Sequence, residues 1–174
     1  MITIRAATQN DVSLLTQLGR ITFTESFSEQ NNPENFQIYL DEKYQHEVIM
    51  AEFKNPENQF FIAEYKSEPA GFIKLLFNED ENHPDLKDKK CLSLERIYVL
   101  KKCQGLHIGK LLMEKAIAIA TANQFQLIWL GVWENNLKAI QIYKKWGFEQ
   151  FGSHIFNLGG DLQTDLLMKK SVEY

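Results

Sequence analysis

The sequence has few cysteines and no long hydrophobic run. Its 174 residues include two cysteines, Cys91 and Cys103, whose spacing matches neither a metal-binding motif nor a disulfide framework. We therefore expect both thiols to be reduced. No apolar run approaches the roughly 18–20 residues that a membrane-spanning helix needs, and residues 1–5 lack the plan of a signal peptide. These absences predict a cytoplasmic protein without a membrane partner.

The chain also lacks an excess of basic residues. It carries 19 Lys and Arg residues against 23 Asp and Glu residues, which gives a net charge of −4. A nucleic-acid-binding protein usually presents a basic patch or a basic recognition helix, so we expect no nucleic-acid partner. The length suits one core, and neither a repeat nor a linker interrupts the chain. The expected organisation is a single domain over residues 1–174.

The hydrophobic pattern predicts eleven elements in the order β-α-α-β-β-β-α-β-α-β-β. The predicted segments are a strand over 2–7, helices over 12–23 and 33–44, strands over 59–65, 70–77 and 92–99, a helix over 106–122, a strand over 127–133, a helix over 135–146 and a hairpin over 148–158 and 162–168. A further helical piece is expected to end at Lys54, and the polar residues 78–90 are expected to form a solvated loop. This order predicts an α/β fold of the α+β type, with a mixed sheet and helices on both faces.

The most informative stretch joins the strand over 92–99 to the helix that follows. Residues 103–110 read Cys-Gln-Gly-Leu-His-Ile-Gly-Lys. Small residues at such a junction let backbone N–H groups point at a common centre, where the positive end of the helix dipole also lies. Lys101, Lys102 and Lys110 add positive charge, with no acidic residue among them. The sequence therefore predicts an anion site suited to phosphate or pyrophosphate.

Two motifs resemble the acyl-CoA site of the GCN5-related N-acetyltransferases. The first is Gln/Arg-x-x-Gly-x-Gly/Ala after a strand that ends in Ile/Leu-x-Val, and here it reads Ile97-Tyr98-Val99 followed by Gln104, His107 and Gly109. The second, Asn-x-x-Ala-x-x-x-Tyr-x-x-x-Gly-Phe, is complete from Asn136 to Phe148. The resemblance covers essentially the whole chain. It implies the acyl-CoA N-acyltransferase fold, acetyl-CoA as cofactor and transfer of the acetyl group to an amine.

The resemblance places the cofactor along the strand end, the turn and the second motif. The pantetheine arm would lie against the backbone of Ile97–Val99, and the pyrophosphate would lie on the amides of Gln104–Lys110. Asn136 would face the pantetheine, and Lys145 either approaches a phosphate or belongs to a solvated helix face. The implied cofactor-binding residues are Ile97, Tyr98, Val99, Gln104, Gly105, Leu106, His107, Ile108, Gly109, Lys110, Asn136, Ala139, Tyr143 and Lys145.

His107 stands where the family pattern usually has glycine. Glycine at this place removes steric limits where a phosphate meets the backbone. We expect a helical φ at His107, so that the residue simply opens the helix. The alternative is a positive φ, which His tolerates better than most other residues with side chains.

Tyr143 is the implied catalytic acid that protonates the departing CoA thiolate. A phenol of pKa near 10 that donates to a thiolate near 8.5 works uphill by roughly 2 kcal/mol, which is small beside the whole barrier. The alternative is a structural tyrosine that packs on Phe148. Transfer within one ternary complex needs no covalent intermediate, so Cys103 is expected to be a bystander.

Glu95 is the candidate base, acting through water. It shares a strand face with Ile97 and Val99, and a carboxylate in an apolar strand is costly unless it is paired or solvated. An amine acceptor is mostly protonated at neutral pH and must lose a proton before it attacks. The alternative is an ion pair between Glu95 and a neighbouring strand.

The acceptor is predicted from segments outside both motifs. Residues 22–40, 129–134 and 163–168 resemble the bacterial Pai-type spermidine/spermine N-acetyltransferases, which implies a polyamine acceptor and a monomer or homodimer. Carboxylates would hold its ammonium groups, and aromatic faces would line its methylene stretches. The expected substrate-binding residues are Phe27, Glu29, Glu34, Tyr39 and Trp133. The alternatives are acetylation of a protein N-terminus or lysine, which predicts a shallow open groove, and a non-catalytic acyl-CoA-binding module.

Overall fold

The computed structural model describes residues 1–174 and contains one seven-stranded sheet and five α-helices. The strands are β1 (Ile2–Ala6), β2 (Asn58–Tyr65), β3 (Glu68–Phe77), β4 (Cys91–Val99), β5 (Leu127–Trp133), β6 (Glu149–Leu158) and β7 (Asp161–Ser171), and the helices are α1 (Val12–Phe27), α2 (Pro33–Lys43), α3 (His46–Lys54), α4 (Ile108–Ala122) and α5 (Leu137–Lys145). The strand order is β1-β2-β3-β4-β5-β7-β6, and β4 and β5 form the one parallel pair. This mixed sheet confirms the predicted fold class, and the further helical piece is the separate helix α3. None of the helices has both the length and the apolar character to span a membrane.

Helices cover both faces of the sheet because successive strand residues point to opposite sides. The Phe60 ring lies 6.2 Å from that of Phe53 in α3, whereas Lys115 of α4 lies over the neighbouring Phe61 with Nζ 4.9 Å from the ring centroid. A cluster of 35 buried residues fills both layers. Burying one Leu, Ile or Phe side chain contributes roughly 1.5–3 kcal/mol, so this two-sided core fixes the central strands on which the site is built.

The start of α2 shows how local sequence places one wall of the site. The Asn32 side chain accepts hydrogen bonds from the N–H groups of Glu34 and Asn35, at 3.0 and 3.1 Å. Pro33 occupies the first helical position, where its missing N–H costs nothing. The predicted start of the second helix is therefore confirmed.

The loop over residues 78–90 differs from the expectation of a solvated segment. Leu86 is 0% exposed and packs with Cys91, Trp129 and two further apolar side chains in a second, smaller cluster. The Trp129 indole N–H donates to the Glu79 carbonyl at 2.6 Å, and Lys169 Nζ donates to Asp85 Oδ2 at 2.5 Å. The burial of Leu86 and these two hydrogen bonds thus hold the polar loop against β5 and β7.

The sheet opens between β4 and β5. The two strands pair along Cys91–Ser93 and Leu127–Trp129 and then diverge, although β4 runs on to Val99 and β5 to Trp133. Each strand keeps its antiparallel partner on the other side. The facing edges beyond the pairing therefore present backbone N–H and C=O groups that no strand satisfies and that a ligand can use.

Candidate active site

A cavity of about 850 Å³ occupies the opening between β4 and β5. We call the part beside residues 101–110 and α5 the turn end. We call the part beside α1, α2 and the β6–β7 hairpin the hairpin end, which is lined by Phe27, Asn31, Tyr39, Phe156, Gln163 and Asp165. The two ends meet where β4 and β5 diverge. A ligand bound at the turn end and a second ligand bound at the hairpin end would therefore touch in the middle of the cavity.

The turn end has the geometry of an anion site. Gly105 has φ +83°, and a Cβ added to it would have no atom of the protein within 4 Å. The backbone there is therefore open to a ligand. No hydrogen bond within the protein uses the N–H groups of residues 105–110, and residues 108–110 form the N-terminus of α4. Free amides at a helix N-terminus suit a pyrophosphate, as the dipole and the N–H groups act together. These residues thus fit the phosphate groups of coenzyme A.

The expectation of a helical φ at His107 is wrong. His107 has φ 62° and ψ 13°, in the left-handed region, and it precedes the first residue of α4. A left-handed residue next to right-handed ones turns successive N–H groups toward one concave centre. His107 is exposed and is one of the residues that line the cavity. The left-handed backbone explains why glycine is common at this position, and why His, one of the better tolerated alternatives, can replace it.

Substitutions at His107 are expected to follow this backbone conformation. His107→Val should lower the free energy of unfolding by about 1–2 kcal/mol, because a β-branched residue is strained at positive φ, whereas His107→Gly should change it by less than about 1 kcal/mol. Urea denaturation measures both. His46→Val, at the exposed first residue of α3, is the matched control. Equal stability of His107→Val and His46→Val would contradict the interpretation.

The end of β4 forms one side of the cavity. Ile97, Tyr98 and Val99 all line it, beyond the stretch in which β4 pairs with β5. The side-chain amide of Gln104 donates to the Val99 carbonyl at 3.4 Å, which ties the turn to the strand end. An extended ligand that carries amide groups, as pantetheine does, matches this row of free backbone donors and acceptors.

Tyr143 lies on α5 and reaches the middle of the cavity. Asn136 caps this helix by accepting a hydrogen bond from the Ala139 N–H at 3.3 Å. The Tyr143 ring packs on Phe148 at a centroid distance of 5.8 Å, and its hydroxyl has no hydrogen-bond partner in the protein. Burial raises the pKa of Tyr143 to about 12. The side chain therefore packs as a core residue and also holds a free phenolic proton at the cavity.

Glu95 lies on the wall of the cavity and is ion-paired at the same time. It is an extra residue in β4, at a bulge opposite Lys74 and Leu75 of β3. Its Oε2 contacts the Lys74 ammonium, and Lys74 Nζ also lies 3.4 Å from Glu52 Oε1. Arg96 completes the network with hydrogen bonds of 2.7 and 2.8 Å to the Glu52 carboxylate. The ion pair to a neighbouring strand is thus present, and Oε1 of Glu95, a residue of the cavity lining, has no partner in the protein.

The hairpin end is walled rather than open. The tip of the β6–β7 hairpin sits on the start of α2 so closely that a Cβ on Gly159 would lie 1.9 Å from the Asn35 carbonyl oxygen. The Tyr39 and Phe156 rings lie 5.3 Å apart, and Gln163 Nε2 donates to Asn31 Oδ1 at 2.6 Å. Aromatic side chains therefore line this end of the cavity, and the seated hairpin tip forms part of its wall.

Several residues predicted from the sequence line the cavity and others do not. Phe27, Tyr39 and Trp133 line it, whereas Glu29 and Glu34 do not. Leu106 and Lys145 of the implied cofactor set also lie outside the lining; Lys145 is exposed.

Sequence reasoning missed other residues that line the cavity. Asp165 and Phe156 come from the last hairpin, and Lys138 from α5. The signal for Asp165 was present, since a carboxylate in an apolar strand had already drawn attention to Glu95.

Comparison with known proteins places this site in a family. The model of the acetyltransferase (GNAT) family matches residues 20–148. An uncharacterized N-acetyltransferase in the pepI 3′ region of Lactobacillus delbrueckii subsp. lactis is 32% identical over 171 residues, 98% of each chain. The spermine/spermidine N(1)-acetyltransferase of Bacillus subtilis is 32% identical over 65 residues, which are 37% of this chain and 43% of that protein.

The fold comparison agrees with the sequence comparison. A crystal structure of PaiA N-acetyltransferase from Thermoplasma acidophilum in complex with coenzyme A has a TM-score of 0.80 and 22% identity, covering 98% of this chain and 99% of that one. The free amides of the turn, the open edge of β4 and the phenol at the cavity agree with the cofactor of this family. The protein is an acetyl-CoA-dependent N-acetyltransferase, and its chain belongs to the acetyltransferase (GNAT) family.

Proposed function

We propose that the protein transfers the acetyl group of acetyl-CoA to a primary amine of a polyamine of the spermidine and spermine class. The observation that carries this proposal is the walled hairpin end of the cavity. The hairpin tip seated on Asn35 and the pair Tyr39–Phe156 leave a narrow aromatic cleft. Such a cleft accepts a thin aliphatic chain, whereas acetylation of a protein surface expects a shallow open groove. The partial identity to a spermine/spermidine acetyltransferase supports the same choice.

Different parts of the chain bind the cofactor and act in the reaction. The amides of residues 105–110 would hold the pyrophosphate, and the open edge of Ile97–Val99 would hold the pantetheine arm. Acetyl-CoA supplies a thioester carbon, which forms a bond to the amine nitrogen as its bond to sulfur breaks. A backbone N–H at the diverging edge of β4 donates to the thioester oxygen as negative charge develops there.

Two side chains handle the protons. Glu95, through its free Oε1 and a water molecule, accepts the proton that the acceptor ammonium must lose before it attacks. Tyr143 gives its phenolic proton to the sulfur that leaves as a thiolate. The nitrogen loses its second proton as the amide forms, and this proton restores the phenol of Tyr143 through water. Because the pKa of Tyr143 is about 12, this proton is in place at any neutral or moderately alkaline pH. Holding both reactants in one cavity supplies the proximity that makes a covalent enzyme intermediate unnecessary.

A panel of acceptors tests the proposal. We expect thiol release from acetyl-CoA to be at least about tenfold more efficient, as kcat/KM, with spermidine or spermine than with peptides that carry a free N-terminus or a lysine. Reactions without an acceptor give the hydrolysis background. Preference for the peptides would overturn the polyamine assignment and favour a protein acceptor. Background rates with every polyamine would also overturn it.

A further inference from the structure

A chain of three side chains leads from the hairpin end of the cavity to the loop over residues 78–90. Asp165 of β7 faces its direct strand partner His154 of β6, and Asp165 Oδ2 lies 3.3 Å from His154 Nε2. On the other side of the ring, His154 Nδ1 lies 2.5 Å from Oε1 of Glu81 in the loop. Asp165 is 9% exposed and lines the cavity, and its Oδ1 has no hydrogen-bond partner in the protein. A largely buried aspartate that lines the cavity thus keeps one carboxylate oxygen with a free acceptor position.

The hydrogen bonds of His154 fix its charge. A neutral imidazole donates from one nitrogen, so carboxylates at both nitrogens stabilise the doubly protonated ring. Hydrogen bonds to Asp165 and Glu81 accordingly raise the pKa of His154, against the effect of burial. Two carboxylates and one imidazolium leave a net charge of −1.

The neighbouring ionic network adds no net charge. Glu52 and Glu95 are matched by Lys74 and Arg96 in a single network. Tyr39 and Tyr44, which also line the cavity, are neutral, since burial raises the pKa of each phenol. Glu25 of α1 is a further carboxylate of the lining and accepts a hydrogen bond from the Lys101 N–H at 2.8 Å. The charge of the Asp165–His154–Glu81 chain is therefore not offset by these neighbours, and one ammonium group would balance it.

Gly131 of β5 and Asp165 line the cavity side by side. A Cβ at Gly131 would lie 3.3 Å from Asp165 Oδ2 and 3.4 Å from His154 Nε2, so a larger residue there would crowd both groups. The two carboxylates contact opposite nitrogens of the ring and do not converge on one point, and these three residues do not form a metal-binding group. The site suits a hydrogen-bond donor that carries positive charge.

We infer that Asp165 binds a second, charged nitrogen of the acceptor while the amine at the far end of the same molecule is acetylated. The substrate class is then the aliphatic diamines and polyamines, because a monoamine leaves Asp165 Oδ1 without a partner. His154 is a positioning residue that holds Asp165 toward the cleft, and Glu81 holds His154. This inference rests on the proposed function and adds to it the group that selects the acceptor.

The test compares diamines with monoamines of the same shape. We expect the wild-type kcat/KM for putrescine to exceed that for n-pentylamine, in which a methyl group replaces the second amine. Asp165→Asn should lower the value for putrescine by about 30–300-fold, mostly through KM, and change that for n-pentylamine by less than about threefold. His154→Gln should raise the KM for putrescine with little change in kcat. Asp88→Asn, in the exposed loop, is the matched control.

Other results separate failure of this inference from failure of the proposed function. If Asp165→Asn affects both amines equally, or if n-pentylamine is as good as putrescine, the inference is wrong although polyamine acetylation stands. If the wild type acetylates neither these two amines nor spermidine and spermine, the proposed function fails, and the inference fails with it; activity on spermidine or spermine without activity on putrescine would overturn the inference alone. Thermal unfolding checks the variant; if Asp165→Asn does not fold, Gly131→Ala, which narrows the approach to Asp165, should show the same selective loss for putrescine.

Discussion

Replacing Tyr143 with phenylalanine is expected to lower kcat by about 100–1,000-fold and to leave the KM for acetyl-CoA within about threefold. The change removes a phenolic proton that faces the middle of the cavity and has no partner within the protein. The ring remains and still packs on Phe148 at the same place. A loss confined to kcat would show that the hydroxyl acts in the transition state rather than in cofactor binding.

The matched control is Tyr65→Phe, which removes the same hydroxyl from a tyrosine of β2 that does not line the cavity. Steady-state thiol release measures both variants. The pH profile adds a second readout. Because burial raises the pKa of Tyr143 to about 12, deprotonation of its phenol should not reduce kcat at any pH below about 11. An unchanged kcat in Tyr143→Phe would contradict the catalytic role of this residue.

The second large effect is on stability. Glu52→Gln is expected to lower the free energy of unfolding by about 3 kcal/mol, because it leaves Arg96 and Lys74 buried with Glu95 as the one remaining carboxylate of the network. Denaturant unfolding at neutral pH measures the difference. Glu114→Gln, which removes an exposed pair with Lys110 at 3.7 Å, is the control and should change stability by less than about 1 kcal/mol.

The same network gives a pH dependence with a definite sign. Burial opposes ionisation of Glu52, but hydrogen bonds and charge from Arg96 outweigh it and lower the pKa of this carboxyl. A group whose pKa is lower in the folded protein stabilises it above the unfolded pKa, and that stability is lost as the pH falls through the folded value. The wild type should therefore lose more stability than Glu52→Gln on acidification below about pH 4.5. Parallel losses in the two proteins would contradict this account.

Features set by local sequence were predictable. β5 begins at Leu127 and ends at Trp133 as predicted. A short apolar run bounded by polar residues is typical of a strand that is covered on both faces. The start of α2 at Pro33 follows from its cap and its proline. Most of the residues that the turn and the second motif imply for the cofactor line one cavity, because their spacing is tied to consecutive elements of the chain.

Features set by distant contacts were not predictable. The left-handed φ of His107 depends on the direction in which the turn must present its amides, and no single side chain reports this. Leu86 is one apolar residue in a polar segment, and its burial depends on where β5 and β7 lie. Glu29 and Glu34 do not line the cavity, whereas Asp165 lines its hairpin end and is brought there by the pairing of β6 with β7.

Transfer of a labelled acetyl group from acetyl-CoA to spermidine tests the central claim most directly. In a reaction of purified protein with labelled acetyl-CoA and spermidine, the account predicts that label enters spermidine in step with release of free thiol. It further predicts that Tyr143→Phe slows both by the same factor and that Asp165→Asn slows both at low spermidine concentration. Thiol release without label in spermidine, or equal labelling in the presence and absence of the protein, would contradict the account.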